Sequence, residues 1–177
     1  MRAATIAVLA LVASGCGKTT DATPRDVAMQ FYVTLEAAGV RGIPEARAMP
    51  ALEPYLTSEL TTRLKEAAAS ADPQRSIFSG LYEGYSTYYV QDTRLLGDTA
   101  LVIMGFSNMT QKPAVKWSDT LVVIKGPPSW RVADLRYGGN WDFGYRGTLT
   151  GVLTRAASST SHDGTSATPP APATNTR

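Results

Sequence analysis

The chain has 177 residues, 44% of them apolar, and a formal charge of +2. That length and apolar content fit one domain with one core plus flanking ends. Near-neutrality, with Lys and Arg scattered and no basic run of five, gives no electrostatic footprint for nucleic acid, and a single cysteine excludes an intrachain disulfide.

Arg2 supplies a positive start, and residues 3–13 are apolar. This run is well short of the roughly 20 residues that a spanning helix needs, so it reads as a secretory signal. It ends in Val12-Ala13-Ser14-Gly15-Cys16, where small residues ahead of a cysteine suit a peptidase cleft. The stretch resembles a bacterial lipobox, with Ala13 where the family pattern has leucine. The resemblance implies removal of residues 1–15 and a diacylglycerol thioether on Cys16, with a further palmitate-type chain on the freed amine. Two or more chains anchor stably, because each buried CH₂ contributes about 0.8 kcal/mol. Gly17 in place of aspartate implies, under enteric-type sorting, the outer membrane facing the periplasm.

Ser14-Gly15-Cys16-Gly17-Lys18-Thr19 also looks like the end of a phosphate-binding loop. That loop needs glycine at position 12, which here is Val12. It also needs a helix directly afterwards, in which Pro24 would remove a donor and clash with the preceding turn.

Residues 16–22 read as a tether. Thr23 caps a helix with Pro24 at its first position and Asp26 in its first turn. Val27, Phe31 and Leu35 form its apolar stripe beside Ala28, Tyr32 and Ala38, and Gly39 ends it. Pro44, Pro50 and Pro54 restrict residues 45–56 to one or two short turns. Thr57 caps a second helix that buries Leu60, Leu64, Ala67 and Ala68, and Asp72-Pro73 stops it.

From residue 84 the period becomes two, with Tyr85, Thr87 and Tyr89 on one face and Ser86, Tyr88 and Val90 on the other. Leu96-Gly97-Asp98 turns the chain into an apolar central strand over residues 99–107. A second hairpin pairs residues 116–125 with 130–137 across Gly126-Pro127-Pro128-Ser129. An aromatic loop over residues 141–145 is expected to pack on the first helix. A short helical pattern of Leu149, Val152 and Leu153 follows. From Ala156 the chain is Ser, Thr, Pro and Ala without period, which cannot bury enough to fold. The expected layout is therefore a signal in 1–15, a lipidated tether in 16–22, one domain in 23–155 and a tail in 156–177.

Helices followed by antiparallel hairpins predict an α+β fold, with the helices packed on one face of a curved sheet. The capped aromatic first helix, Leu96-Gly97-Asp98-Thr99-Ala100-Leu101-Val102 and Trp130-Arg131-Val132-Ala133-Asp134-Leu135-Arg136-Tyr137 resemble the nuclear transport factor 2-like (cystatin-like) superfamily, in its branch of small secreted bacterial proteins and lipoproteins. The resemblance implies a cone whose sheet and helices enclose a pocket.

His162, the only histidine, falls in the tail, and the chain has neither a His-based triad nor a Gly-x-Ser-x-Gly turn. Asp134 is the one catalytic candidate. On the face of Trp130 and Val132 it would sit among apolar groups as a proton acceptor. Enzymes of the resembled superfamily pair such an aspartate with tyrosine, a role open to Tyr85, Tyr89 or Tyr137, which suggests isomerase- or dehydratase-like proton transfer. The competing reading has Asp134 pairing with arginine or capping a backbone amide. Tyr85, Tyr89, Trp130, Tyr137 and Trp141 are candidate ligand contacts, because aromatic walls with polar tips build small-molecule pockets. Taken together, the expectation is a lipid-anchored envelope protein, held to the membrane through Cys16. It would need no cofactor or metal and would bind an envelope protein or a small apolar ligand without catalysis.

Overall fold

The computed structural model describes residues 22–68 and 75–160. Cys16 and the stretch read as a signal, Asp72-Pro73 and His162 lie outside the described residues. Helix α1 spans Pro24–Ala37 behind a complete capping box, in which Asp26 N–H donates to Thr23 Oγ1 at 3.2 Å and Thr23 N–H to Asp26 Oδ2 at 3.0 Å. Its end is a Schellman motif: Gly39 takes φ +64°, Gly39 N–H donates to Glu36 O and Val40 N–H to Leu35 O, which satisfies two terminal carbonyls. As the three prolines require, α2 is a single turn at Met49–Leu52 running into a 3-10 turn at Glu53–Tyr55. Helix α3, Ser58–Ala67, is capped by Thr57 Oγ1 and buries Leu60, Leu64 and Ala67. Ala68 was expected in that stripe, but it is the C-cap residue and is exposed at the helix end.

Strands β1 (Thr87–Leu96), β2 (Thr99–Asn108), β3 (Val115–Lys125) and β4 (Trp130–Arg136) form one open antiparallel sheet in the order β1-β2-β3-β4. The fold is α+β. Alternation buries Ala100, Val102, Met104 and Phe106 on β2, and Trp117, Asp119, Leu121 and Val123 on β3. The β1–β2 turn is the two-residue Gly97-Asp98, with Gly97 at φ +63°, the position where a tight hairpin needs glycine. Helix α1 touches all four strands, so it lies across the sheet. Helix α4, Leu149–Thr160, packs on α3 and β4.

The outer edge of β4 is closed. Leu56 bridges Val132, Thr57 N–H donates to Val132 O at 3.0 Å, and Thr148 bridges Arg136. Such covering removes a sticky edge.

Three further sequence expectations shift. Helix α4 runs to Thr160, beyond the boundary set at residue 155, because Ala156 continues the stripe of Leu149, Val152 and Leu153 against the core. Tyr85 precedes β1 and turns inward beside Tyr88 instead of sharing a face with Tyr89. A bulge in β4 is the third: Val123 pairs with Val132 but Val122 with Asp134, leaving Ala133 as the extra residue. Asp134 therefore sits on the face opposite Val132, since one inserted residue reverses the alternation. No described helix is long and apolar enough to cross a membrane.

Candidate functional site

The concave side of the sheet is filled with rings. Tyr32, fully buried at its centre, has Phe31, Phe106, Tyr85 and Tyr88 within 5.2 to 5.9 Å between ring centroids, and Phe106 stacks on Trp117 at 5.5 Å. Tyr32 Oη donates to Phe78 O and Tyr137 Oη to Ile77 O, each at 2.8 Å. Burial pushes the phenols of Tyr32 and Tyr137 well above their ordinary value.

The buried carboxylate among these rings is Asp119, which is 1% exposed. Its Oδ2 accepts from Gly80 N–H at 2.7 Å and from Trp117 Nε1–H at 3.0 Å, and its Oδ1 from Gly138 N–H at 2.9 Å. Burial raises its pKa while the three donors draw it back, and burial wins. Gly138 must be glycine, because a Cβ there would come within 2.0 Å of Ser118 O. Tyr145 N–H donates to Gly80 O at 2.7 Å and Leu81 bridges Gly144, so one carboxylate ties two loops together and to the sheet. That arrangement satisfies buried amides and leaves the carboxylate no open side for a substrate.

A cleft of about 200 Å³ opens between the end of α1 and the loop before β1. Tyr85 and Phe78 help to floor it, and Glu36, Arg41 and Glu83 stand on its rim. Tyr88 Oη donates to Glu36 Oε2 at 3.3 Å, and Gln111 Nε2–H donates to Glu83 Oε2. Burial first, and then the charge of Glu36, raise the Tyr85 phenol far above its usual value. The cleft is smaller than the roughly 300 Å³ at which small-molecule sites begin.

Asp134 does not line this cleft. Its Oδ1 accepts from Leu135 N–H at 2.8 Å and from Thr150 N–H at 3.0 Å, capping the first turn of α4, while Thr148 Oγ1 takes Gly151 N–H at 3.1 Å. Of the five aromatic candidates only Tyr85 lines the cleft. Tyr137 is buried, Tyr89 lies exposed across Gly105 on the outer face, and Trp130 is half-buried at the hairpin end. The aromatic loop packs on the sheet and the opposite loop. Trp141 meets Trp117 edge-on at 5.8 Å, Tyr145 stacks on Tyr137 at 5.2 Å and lies 4.6 Å from Tyr82. Phe143, 54% exposed, stacks on Trp141. This corrects the expected packing on the first helix, because the Asp119 tie draws residues 138–147 toward the Gly80 loop.

Among the described residues no three His, Cys, Asp or Glu side chains group as a metal site would need. Sequence reasoning missed Asp119, although Trp117, Asp119, Leu121 and Val123 alternate onto one face. No protein-family model, curated protein or solved structure matches the chain.

Proposed function

We propose that the chain is a lipid-anchored protein of the bacterial envelope whose single domain, of nuclear transport factor 2-like form, acts by binding and not by catalysis. The observation that carries the binding half is Asp134: the carboxylate best suited by sequence to proton transfer is engaged by the backbone amides of Leu135 on β4 and of Thr150 at the start of α4. The ring-filled concavity points the same way and favours a protein partner over a small apolar ligand held inside the sheet. The anchored half rests on the apolar run that ends in Ala13-Ser14-Gly15-Cys16. Residues 16–22 reach at most about 25 Å when fully extended, so the domain works against the membrane that holds its lipid.

Replacing Cys16 with Ala tests the anchor. In cells fed a labelled palmitate analogue, the wild-type chain should take up label and run as the processed form, and the variant should stay unlabelled and unprocessed. A variant that still incorporates the label refutes the anchor.

A further inference from the structure

Both hairpin turns leave the sheet at the same end. Leu96 pairs with Thr99, Thr99 with Ile124, and Lys125 N–H donates to Asp98 O at 2.8 Å. This tip carries Leu95, 64% exposed, and Leu96, 60% exposed, with exposed Ile124, Pro127 and Pro128 beside them. Arg94 and Lys125 flank the leucines, set against Asp92 and Asp98. Adjacent leucines on a strand point to opposite faces, so one core could cover at most one of them, and at this tip both are left exposed.

The start of α1 lies toward this tip. Helix α1 crosses all four strands, and its C-terminal turn is fixed at the start of β1 by the Tyr88–Glu36 hydrogen bond. Its N-terminal turn therefore lies over β4, which pairs only with the 120–125 half of β3, the half nearest the tip. Thr23 thus starts the fold at the same end as the leucines. The short tether holds that end within about 25 Å of an acylated Cys16.

We infer that the tip formed by Leu95, Leu96, Ile124 and Pro127-Pro128 docks on the bilayer that carries the anchor, an inference that rests on the anchored reading above. The leucines enter the interface while Arg94 and Lys125 face the headgroups, the division of labour of a peripheral membrane surface. Docking sets the orientation: the opposite end of the sheet, with the cleft and the loops tied by Asp119, faces away from the membrane toward a partner.

Cys16 is the chain's only cysteine, so in the acylated protein a newly introduced cysteine can be labelled alone. The purified acylated full-length protein is reconstituted into vesicles of phosphatidylethanolamine and phosphatidylglycerol. A polarity-sensitive fluorophore is placed at Leu96→Cys or, as the far-end control, at Met109→Cys, an exposed site on the other side of β2. The expected result is blue-shifted emission quenched by nitroxide lipids at position 96, and aqueous emission at 109. Leu95→Thr with Leu96→Thr, which keeps strand propensity, should abolish the shift for a fluorophore carried at Lys125→Cys. Equal signals at 96 and 109, or a deeper 109, overturn the docking. The acyl group is read separately by mass: a chain without it refutes the anchored reading and the docking with it, whereas an acylated chain with equal signals refutes the tip alone.

Discussion

Replacing Asp119 with Ala removes the acceptor for three N–H groups, those of Gly80, Gly138 and the Trp117 indole. Gly80 and Trp117 are buried, whereas Gly138 is exposed and can turn to water. Two orphaned buried donors at about 1–3 kcal/mol each, partly offset by no longer burying a carboxylate, put the net loss near 3 kcal/mol. For a domain of this size that lowers the melting temperature by about 10 °C. Asp119→Asn separates the hydrogen-bond reasoning from a mere packing effect. With its carbonyl at the Oδ2 position it still accepts from Gly80 and Trp117, and its amide faces only the solvated Gly138 donor, so it should cost about 1 kcal/mol. Chemical denaturation followed by tryptophan fluorescence measures both, with Trp117 as a direct reporter. Equal losses for Ala and Asn, or an Ala loss under about 1 kcal/mol, would refute the account of Asp119 as a tie between loops.

Two further outcomes follow from the same geometry. Asp134→Ala should cost about 1–2 kcal/mol and speed amide exchange at Thr150, while Asp134→Asn, which keeps an acceptor, should cost less; unchanged exchange at Thr150 in Asp134→Ala would contradict the capping role. At alkaline pH the raised phenols of Tyr32, Tyr85 and Tyr137 count against the fold. Each ionises near 10.0 once unfolded, so its contribution is intact below that value and is lost as pH rises toward the higher folded value. The slope reaches about 1.4 kcal/mol per pH unit per tyrosine. A denaturation midpoint unchanged from about pH 9 to about pH 11 would rule out burial of these phenols.

The capped helices and the strands were legible because their signals are local: a hydroxyl and a proline at Thr23-Pro24, a glycine at Gly39, alternation from Ala100 to Phe106. The β4 bulge was not. Ala133 carries no mark that distinguishes a bulge from a regular strand residue, yet that one residue moved Asp134 from the core face to the edge where α4 begins. Asp119 was half-legible. Its face follows from the alternation of β3, but its partners Gly80 and Gly138 lie on loops that only the tertiary fold brings to it. The aromatic loop failed for the same reason, since its rings meet Trp117, Tyr137 and Tyr82 across the chain.

The closed edge of β4 also bears on the order of folding. Synthesis delivers α1, α2 and α3 before any strand, and a helix as short as α1 is marginal in water by itself. The amide of Thr57, which begins α3, finds its carbonyl only when Val132 arrives at the far end of the sheet. Strands β1 to β3 can meet the stripe of α1 as they form, but α3 packs on β4 and α4, so its stripe waits until the last strand is made. For as long as β4 is missing, a nascent chain of this design exposes that stripe and is open to aggregation.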